Sequence, residues 1–226
     1  MNRPSAPPSR RIAVLISGRG SNLSALLAAE RGAGLGGRIV AVISNRPDAR
    51  GLAIAAEYGV KTVVVHHRGY ASRADFDDAL AAALDAESPD LVVFAGFMRV
   101  LGDAFIARYK GRMLNIHPSL LPSFPGLDTH RRALDAGVRI HGCTVHFVTE
   151  ELDHGPIVAQ SALAVRPDDD EASLAARVLA LEHRLLPRVV RAFCEDRVVI
   201  EGGRARVIDA EASDATLEVF VGKPGT

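Results

Sequence analysis

Short apolar runs that alternate with helical patterns constrain this chain more than any other feature of it. Ile12-Ala-Val-Leu-Ile16 is a continuous apolar run that stops at Ser17-Gly-Arg-Gly-Ser-Asn22, after which Leu23, Leu26 and Leu27 recur at helical spacing. The pattern predicts a strand, a glycine turn and a helix. It repeats with strand 38–44, helix 49–58, strand 60–65 and helix 71–87, where Phe76, Leu80 and Leu84 at i, i+4, i+8 predict one buried face. Residues 90–95 are apolar on both alternating faces, as a parallel strand covered by helices on each side requires. The expected fold class is therefore α/β, with a mostly parallel sheet and helices on both faces.

The later half changes character. Residues 113–117 read as a strand, after which Pro118, Pro122 and Pro125 force an irregular loop. Residues 138–149 and 156–165 read as two longer strands close enough to pair antiparallel. A helix over 171–193 carries Leu174, Val178, Leu181 and Leu185 on one face. Residues 198–201 and 205–208 form a hairpin around Gly202-Gly203, and 209–226 has no clear period. At 226 residues one domain suffices, without repeat or linker. Such a domain buries roughly 70–75% of its unfolded surface and needs no disulfide or metal for its core. Residues 1–11, rich in Pro, Ser and Arg, lack the apolar segment of a signal peptide and are expected to be a disordered tail.

Composition removes several function classes. The 27 basic and 27 acidic residues cancel, so no long-range field recruits nucleic acid or an anionic membrane. No run approaches the roughly 18 apolar residues of a membrane span. Cys143 and Cys194, without C-x-x-C spacing, suit buried thiols in a reducing compartment, and the expected location is cytoplasmic.

Three groups of residues invite chemistry. The loop Ser17 to Asn22 joins a strand to a helix N-terminus, where free N–H groups and the helix dipole favour a phosphate. Leu23 where the third glycine of a dinucleotide fingerprint belongs, and Ser44-Asn45-Arg46 where its acid belongs, argue against NAD and for a mononucleotide-like phosphate. A plain tight turn with Ser21 or Asn22 as helix cap is the alternative. Asn115 and His117, two apart at a strand end, project from one face and can bind an oxygen that turns negative, or simply cap the strand. Asp153 can favour the charged form of His117 or relay a proton, though acids in turns are commonly only solvated. His141 and His146, five apart, face opposite sides of a strand, and His66-His67 lack partner spacing, so no metal is expected.

Several motifs occur in a fixed order: Gly18-Arg-Gly-Ser-Asn22, Ala95-Gly-Phe-Met-Arg-Val-Leu101, Leu114-Asn-Ile-His-Pro-Ser-Leu-Leu-Pro122, Phe124-Pro-Gly-Leu-Asp-Thr-His130, His141-Gly-Cys-Thr-Val-His-Phe-Val148 and Glu151-Leu-Asp-His-Gly-Pro156. Together they resemble the phosphoribosylglycinamide formyltransferase family, from about Ile12 to Asp196. The resemblance implies a Rossmann-like formyltransferase domain over 12–208, with 209–226 an extension of no assigned role. It implies transfer of the formyl group of 10-formyltetrahydrofolate, a co-substrate, to the amine of N1-(5-phosphoribosyl)glycinamide in purine synthesis. It further implies Asn115, His117 and Asp153 as catalytic residues, supported by His146 and Thr144. Gly20, Ser21, Asn22 and Glu182 match the ribonucleotide site. Arg73, Met98, Arg99, Val100, Leu101, Asn115, Thr149, Glu150, Glu151, Leu152 and Asp153 match the folate site. Arg19, Asp128 and His154 depart from the residues common in the family.

The expected partners are small-molecule substrates, with no nucleic acid or membrane, and a monomer or homodimer. Two relatives in chemistry resemble longer chains: methionyl-tRNA formyltransferase with an added C-terminal domain, and formyltetrahydrofolate hydrolase with an added N-terminal one. A non-catalytic nucleotide-binding module would use the glycine loop alone and has no reason to keep Asn115, His117 and Asp153 together.

Overall fold

The computed structural model describes residues 9–208 and the backbone of Glu218–Phe220. Strand β1 (Arg10–Ile16) leads through the glycine turn into helix α1 (Ser21–Arg31), followed by β2 (Gly37–Ser44), α2 (Arg50–Glu57) and β3 (Lys61–Val64). A short 3-10 turn, His67–Gly69, precedes α3 (Arg73–Asp85) and β4 (Leu91–Phe94). Next come α4 (Asp103–Arg108), β5 (Met113–His117), α5 (Thr129–Asp135), β6 (Ile140–Phe147), β7 (Ile157–Ala164) and the long helix α6 (Glu171–Cys194). A hairpin, β8 (Val198–Glu201) with β9 (Arg204–Val207), and the strand β10 (Glu218–Phe220) complete the described chain.

Eight strands form one sheet in the order β10-β7-β6-β5-β4-β1-β2-β3. Its pairings are parallel except those of β6, which runs against both β5 and β7. The expected α/β architecture, with antiparallel strands in the later half, is the one found. Period-two alternation explains the layers. Ile12, Val14 and Ile16 of β1 pack into the cluster holding Leu23, Leu26 and Leu27 of α1 and Leu174, Val178 and Leu181 of α6. Ala13 and Leu15 face the other cluster, with Phe76, Leu80 and Leu84 of α3 and Phe105 of α4. Phe76, Leu80 and Leu84 are fully or almost fully buried, so truncating any of them to alanine costs about 2–5 kcal/mol.

Some boundaries shift. β1 opens at Arg10, two residues inside the expected tail, because pairing of Arg10 with Gly37 and of Arg11 with Arg38 extends the strand past its apolar run. The Arg11 N–H also donates to Asp90 Oδ2 at 2.7 Å. Residues 1–8 of that tail lie outside the described residues. Helices α4 and α5, of six and seven residues, have no counterpart in the sequence reading; each is too short to show a helical period. Of the segment 209–226, the strand β10 is described, and it adds to β7 in parallel. No helix among the described residues is long and apolar enough to cross a membrane.

Candidate active site

The strand order reverses at β1, with β2 and β3 on one side and β4 and β5 on the other. In open α/β sheets ligands bind at such a switch, outside the carboxyl ends of the strands. The first wall of this crevice is the turn from β1 to α1. Gly20 caps α1 with a φ of 77°, a left-handed conformation that glycine takes without strain. A Cβ there would stand 2.6 Å from the Gly51 Cα, so the turn fits closely against the start of α2. No side chain caps α1, which leaves its first-turn N–H groups to an external acceptor. Deeper in the wall, Asn22 Nδ2 donates to Glu182 Oε2 at 2.6 Å, both side chains being buried. Burial raises the Glu182 pKa, while the Asn22 bond and the charge of Arg19 oppose that rise. Asn22 Oδ1 is buried without a hydrogen-bond partner among the described residues, an acceptor that a donor group of a ligand would satisfy.

The second wall is the β5–β6 pair. Antiparallel register sets Asn115 opposite His146 and His117 opposite Thr144, so these four side chains share one face. His146 is pushed down from the ordinary imidazole pKa by burial and is therefore neutral near pH 7. Its Nδ1 lies 2.9 Å from the Phe147 carbonyl and must carry the hydrogen, since a carbonyl only accepts. Its Nε2 is then an acceptor for Asn115 Nδ2 at 3.1 Å. That bond fixes the direction of the Asn115 amide and leaves its second N–H without a partner among the described residues. His117, 5% exposed, has Nε2 at 3.0 Å from the Phe124 carbonyl and Nδ1 at 3.5 Å from Asp153 Oδ2.

Asp153 reaches this face because the chain after β6 doubles back. Gly155 lies so close to Phe147 that a Cβ would overlap its carbonyl oxygen, and Asp153 adopts a φ of 57°. Asp153 Oδ2 accepts the Gly126 N–H at 2.8 Å, and Oδ1 lies 3.7 Å from His146 Nε2. Thr144 supports the loop that follows β5. It donates to the Ser119 carbonyl at 2.7 Å and accepts from the Leu121 N–H at 3.0 Å and from Gln160 Nε2 at 2.9 Å. Within that loop the peptide bond preceding Pro122 is cis.

The segment 98–101 leaves β4 without regular structure; Met98 and Val100 are exposed and Leu101 is buried. The Arg99 guanidinium lies 6.0 Å from the Phe76 ring centre. Arg73 opens α3 beside Gly102, and its side chain makes no hydrogen bond or ion pair among the described residues. In the loop after β6, Glu150 lies 4.0 Å from Lys110, Thr149 donates to the Glu151 carbonyl at 3.2 Å, and Leu152 is exposed. His141 does not approach His146; it pairs with His130 of α5, Nδ1 to Nε2, at 3.2 Å.

The geometry thus gathers Asn115, His117, Thr144, His146 and Asp153 in one group and Asn22 with Glu182 in another. It sets Arg73 next to the end of 98–101 but in no polar contact with 149–153 among the described residues. Sequence reasoning missed Phe124, whose carbonyl holds His117, and Gly126, whose N–H holds Asp153. Phe124 and Asp128 have φ of 56° and 55°, and only the run Phe124-Pro-Gly, a turn signal, hinted at that backbone.

Comparison with known proteins agrees with this architecture. The formyl transferase family profile matches residues 10–190. The chain is 46% identical over 187 residues to the phosphoribosylglycinamide formyltransferase of Escherichia coli, covering 83% of this chain and 88% of that one. It belongs to the formyl transferase family and, within it, to the phosphoribosylglycinamide formyltransferases. A trifunctional purine biosynthetic protein adenosine-3 of Drosophila melanogaster is 48% identical over 183 residues, 80% of this chain, which spans only 14% of that relative's length. The crystal structure of glycinamide ribonucleotide transformylase 1 from Symbiobacterium toebii superposes with a TM-score of 0.87 at 48% identity. That match covers 89% of this chain and 95% of the other.

Proposed function

We propose that this chain transfers the formyl group of 10-formyltetrahydrofolate to the amine of N1-(5-phosphoribosyl)glycinamide, giving the formylated ribonucleotide and tetrahydrofolate. One observation carries the reading. An amide N–H is held free by a neutral imidazole, beside a second imidazole that stands between a carbonyl and a carboxylate. A pure binder of nucleotides gains nothing from that arrangement.

The amine lone pair attacks the formyl carbon, and the carbonyl π electrons move to its oxygen. The free Asn115 N–H and an N–H of His117 donate to this developing oxyanion, the kind of contact worth about 10²–10³ in rate. His117 presents one ring nitrogen to the Phe124 carbonyl and the other to the side facing Asp153 and the reacting group. The oxyanion lone pair then re-forms the carbonyl bond as the bond between the formyl carbon and the folate nitrogen breaks, its electrons going to that nitrogen. The proton lost by the amine replaces it there, relayed by Asp153 through water. Nothing is oxidised or reduced and no co-reactant is consumed.

Gly20, Ser21 and Asn22 offer uncapped helix N–H groups to the phosphate, and Glu182 an acceptor to the ribose hydroxyls. The folate lies along Met98, Arg99, Val100 and Leu101 and along Thr149, Glu150, Glu151, Leu152 and Asp153, with Arg73 taking an anionic group of its tail. The exposed Met98, Val100 and Leu152 supply apolar area that folding left open. The test is formation of formylated ribonucleotide by purified protein given both substrates. Release of formate without the ribonucleotide would instead make the chain a hydrolase, and absence of product with both ligands bound would make it a binding module.

A further inference from the structure

Ser17 sits at the carboxyl end of β1, where the strand order reverses, and is 6% exposed. Its N–H donates to the Gly96 carbonyl at 3.1 Å, across to the end of β4. Its hydroxyl donates to Asn45 Oδ1 at 2.6 Å, a length typical of O–H···O bonds. Its lone pair accepts the Met98 N–H at 2.8 Å. Asn45, beyond the end of β2 and 2% exposed, is held in turn: its carbonyl accepts from His67 Nδ1 at 2.8 Å. The hydroxyl therefore cannot turn away from Met98 without leaving the buried Asn45 oxygen unpaired.

This bond fixes one end of the segment 98–101. The other end is fixed in the same manner, because Asp77 Oδ2, on a side chain 7% exposed, accepts the Gly102 N–H at 2.7 Å. Between the two pins the segment has no regular structure and presents Met98 and Val100 to solvent. The pins differ in what else they touch. Asp77 stands on α3, away from the glycine turn, whereas Ser17 is itself the first residue of that turn. Gly18, next in the chain, accepts the Gly51 N–H at 3.1 Å, and Gly20 packs on Gly51. A shift of the turn is transmitted through Ser17 to Met98 and in the reverse direction.

We infer that Ser17 is a positioning residue that ties the ribonucleotide wall to the folate wall, so that filling either site favours the other. The inference rests on the assignment of those two walls made above. Coupling of this kind is reciprocal: each ligand changes the affinity of the other by the same factor. Loss of the acceptor for the Met98 N–H also weakens the folate wall alone, by about tenfold in affinity for one lost hydrogen bond.

The test is calorimetric titration with tetrahydrofolate and N1-(5-phosphoribosyl)glycinamide, singly and together, a pair that binds without turnover because the formyl group is absent. In the wild-type protein each ligand is expected to tighten the other. Ser17→Ala should raise the tetrahydrofolate Kd about tenfold and bring the mutual tightening to about one. Asp77→Asn, which alters the other pin, should weaken tetrahydrofolate while keeping the mutual tightening. Undiminished tightening in Ser17→Ala overturns the inference. So does an equal loss of both single-ligand affinities with a lowered Tm, the signature of a merely structural serine, and so does a wild-type protein that binds both ligands independently. Wild-type protein that binds neither ligand refutes the functional assignment itself, a result distinct from all of these.

Discussion

The turn from β1 to α1 and the β5–β6 pair flank the same end of the sheet, yet the first meets its surroundings mainly with backbone and the second with side chains. The turn offers uncapped N–H groups and a left-handed glycine fitted against Gly51. The strand pair offers Asn115, His117, Thr144 and His146 on one face, joined there by Asp153. Parallel strands are separated in sequence by a crossover, so their side chains disappear under helices and binding falls to the loops beyond them. An antiparallel pair places residues directly opposite one another, which lets a polar cluster form on the sheet itself. Reversal of a single strand, β6, is what sets His146 and Thr144 directly opposite Asn115 and His117 on the sheet itself.

Under the proposed function that contrast puts chemistry in the second region and binding in the first; three measurements can break the division, and a fourth tests the fold around it. His117→Ala should lower turnover by about 10³ while changing either KM little; a comparable loss of turnover from a change in the glycine turn would erase the division. The second concerns stability. Burial holds the His141 pKa at about 4, against about 6.5 in an unfolded chain. Below pH 6.5 the unfolded chain takes up the proton first, so stability present above 6.5 is lost as pH falls toward 4, by about 3 kcal/mol. Urea unfolding across that range should show the decline, and His141→Gln should flatten it; an unchanged slope in the variant places the titrating group elsewhere.

Third, Asp153→Asn should reduce turnover about 100-fold. Near-normal turnover in that variant removes Asp153 from proton transfer and leaves it the task of holding Gly126. The smallest effect is expected in the first region. Glu182→Ala should raise the ribonucleotide KM about tenfold, the scale of one lost charged hydrogen bond, and leave the folate KM unchanged. Equal changes in both constants would refute the ribose assignment.

Legibility in the sequence follows the same divide. The runs that became β1, β2 and β4 were readable because a strand buried on both faces is apolar throughout, and α3 and α6 because an amphipathic helix shows its period over three or more turns. Helices α4 and α5 are shorter than that. Asn115 and His117 could be placed on one face from their spacing alone. That burial keeps His146 neutral and sets its ring against the Asn115 amide depends on cross-strand register, which no local pattern encodes. The approach of Asp153 to His117 depends on a positive φ at Asp153 and on the close fit of Gly155 against Phe147, both products of how the loop packs. Glu182 and Asn22 are 160 positions apart, and only the docking of α6 against α1 joins them.

The two margins of the sheet carry a consequence of another kind. A bordering strand exposes a row of unpaired backbone donors and acceptors, on which a neighbouring molecule can lay its own strand. At one margin, β3 is only four residues long and begins with a lysine, poor material for such stacking. At the other, the bordering strand is β10, three residues long, which pairs with the eight-residue β7 from Ser161 to Leu163. Both bordering strands are thus short, which leaves a neighbouring strand few backbone groups to pair with at either margin.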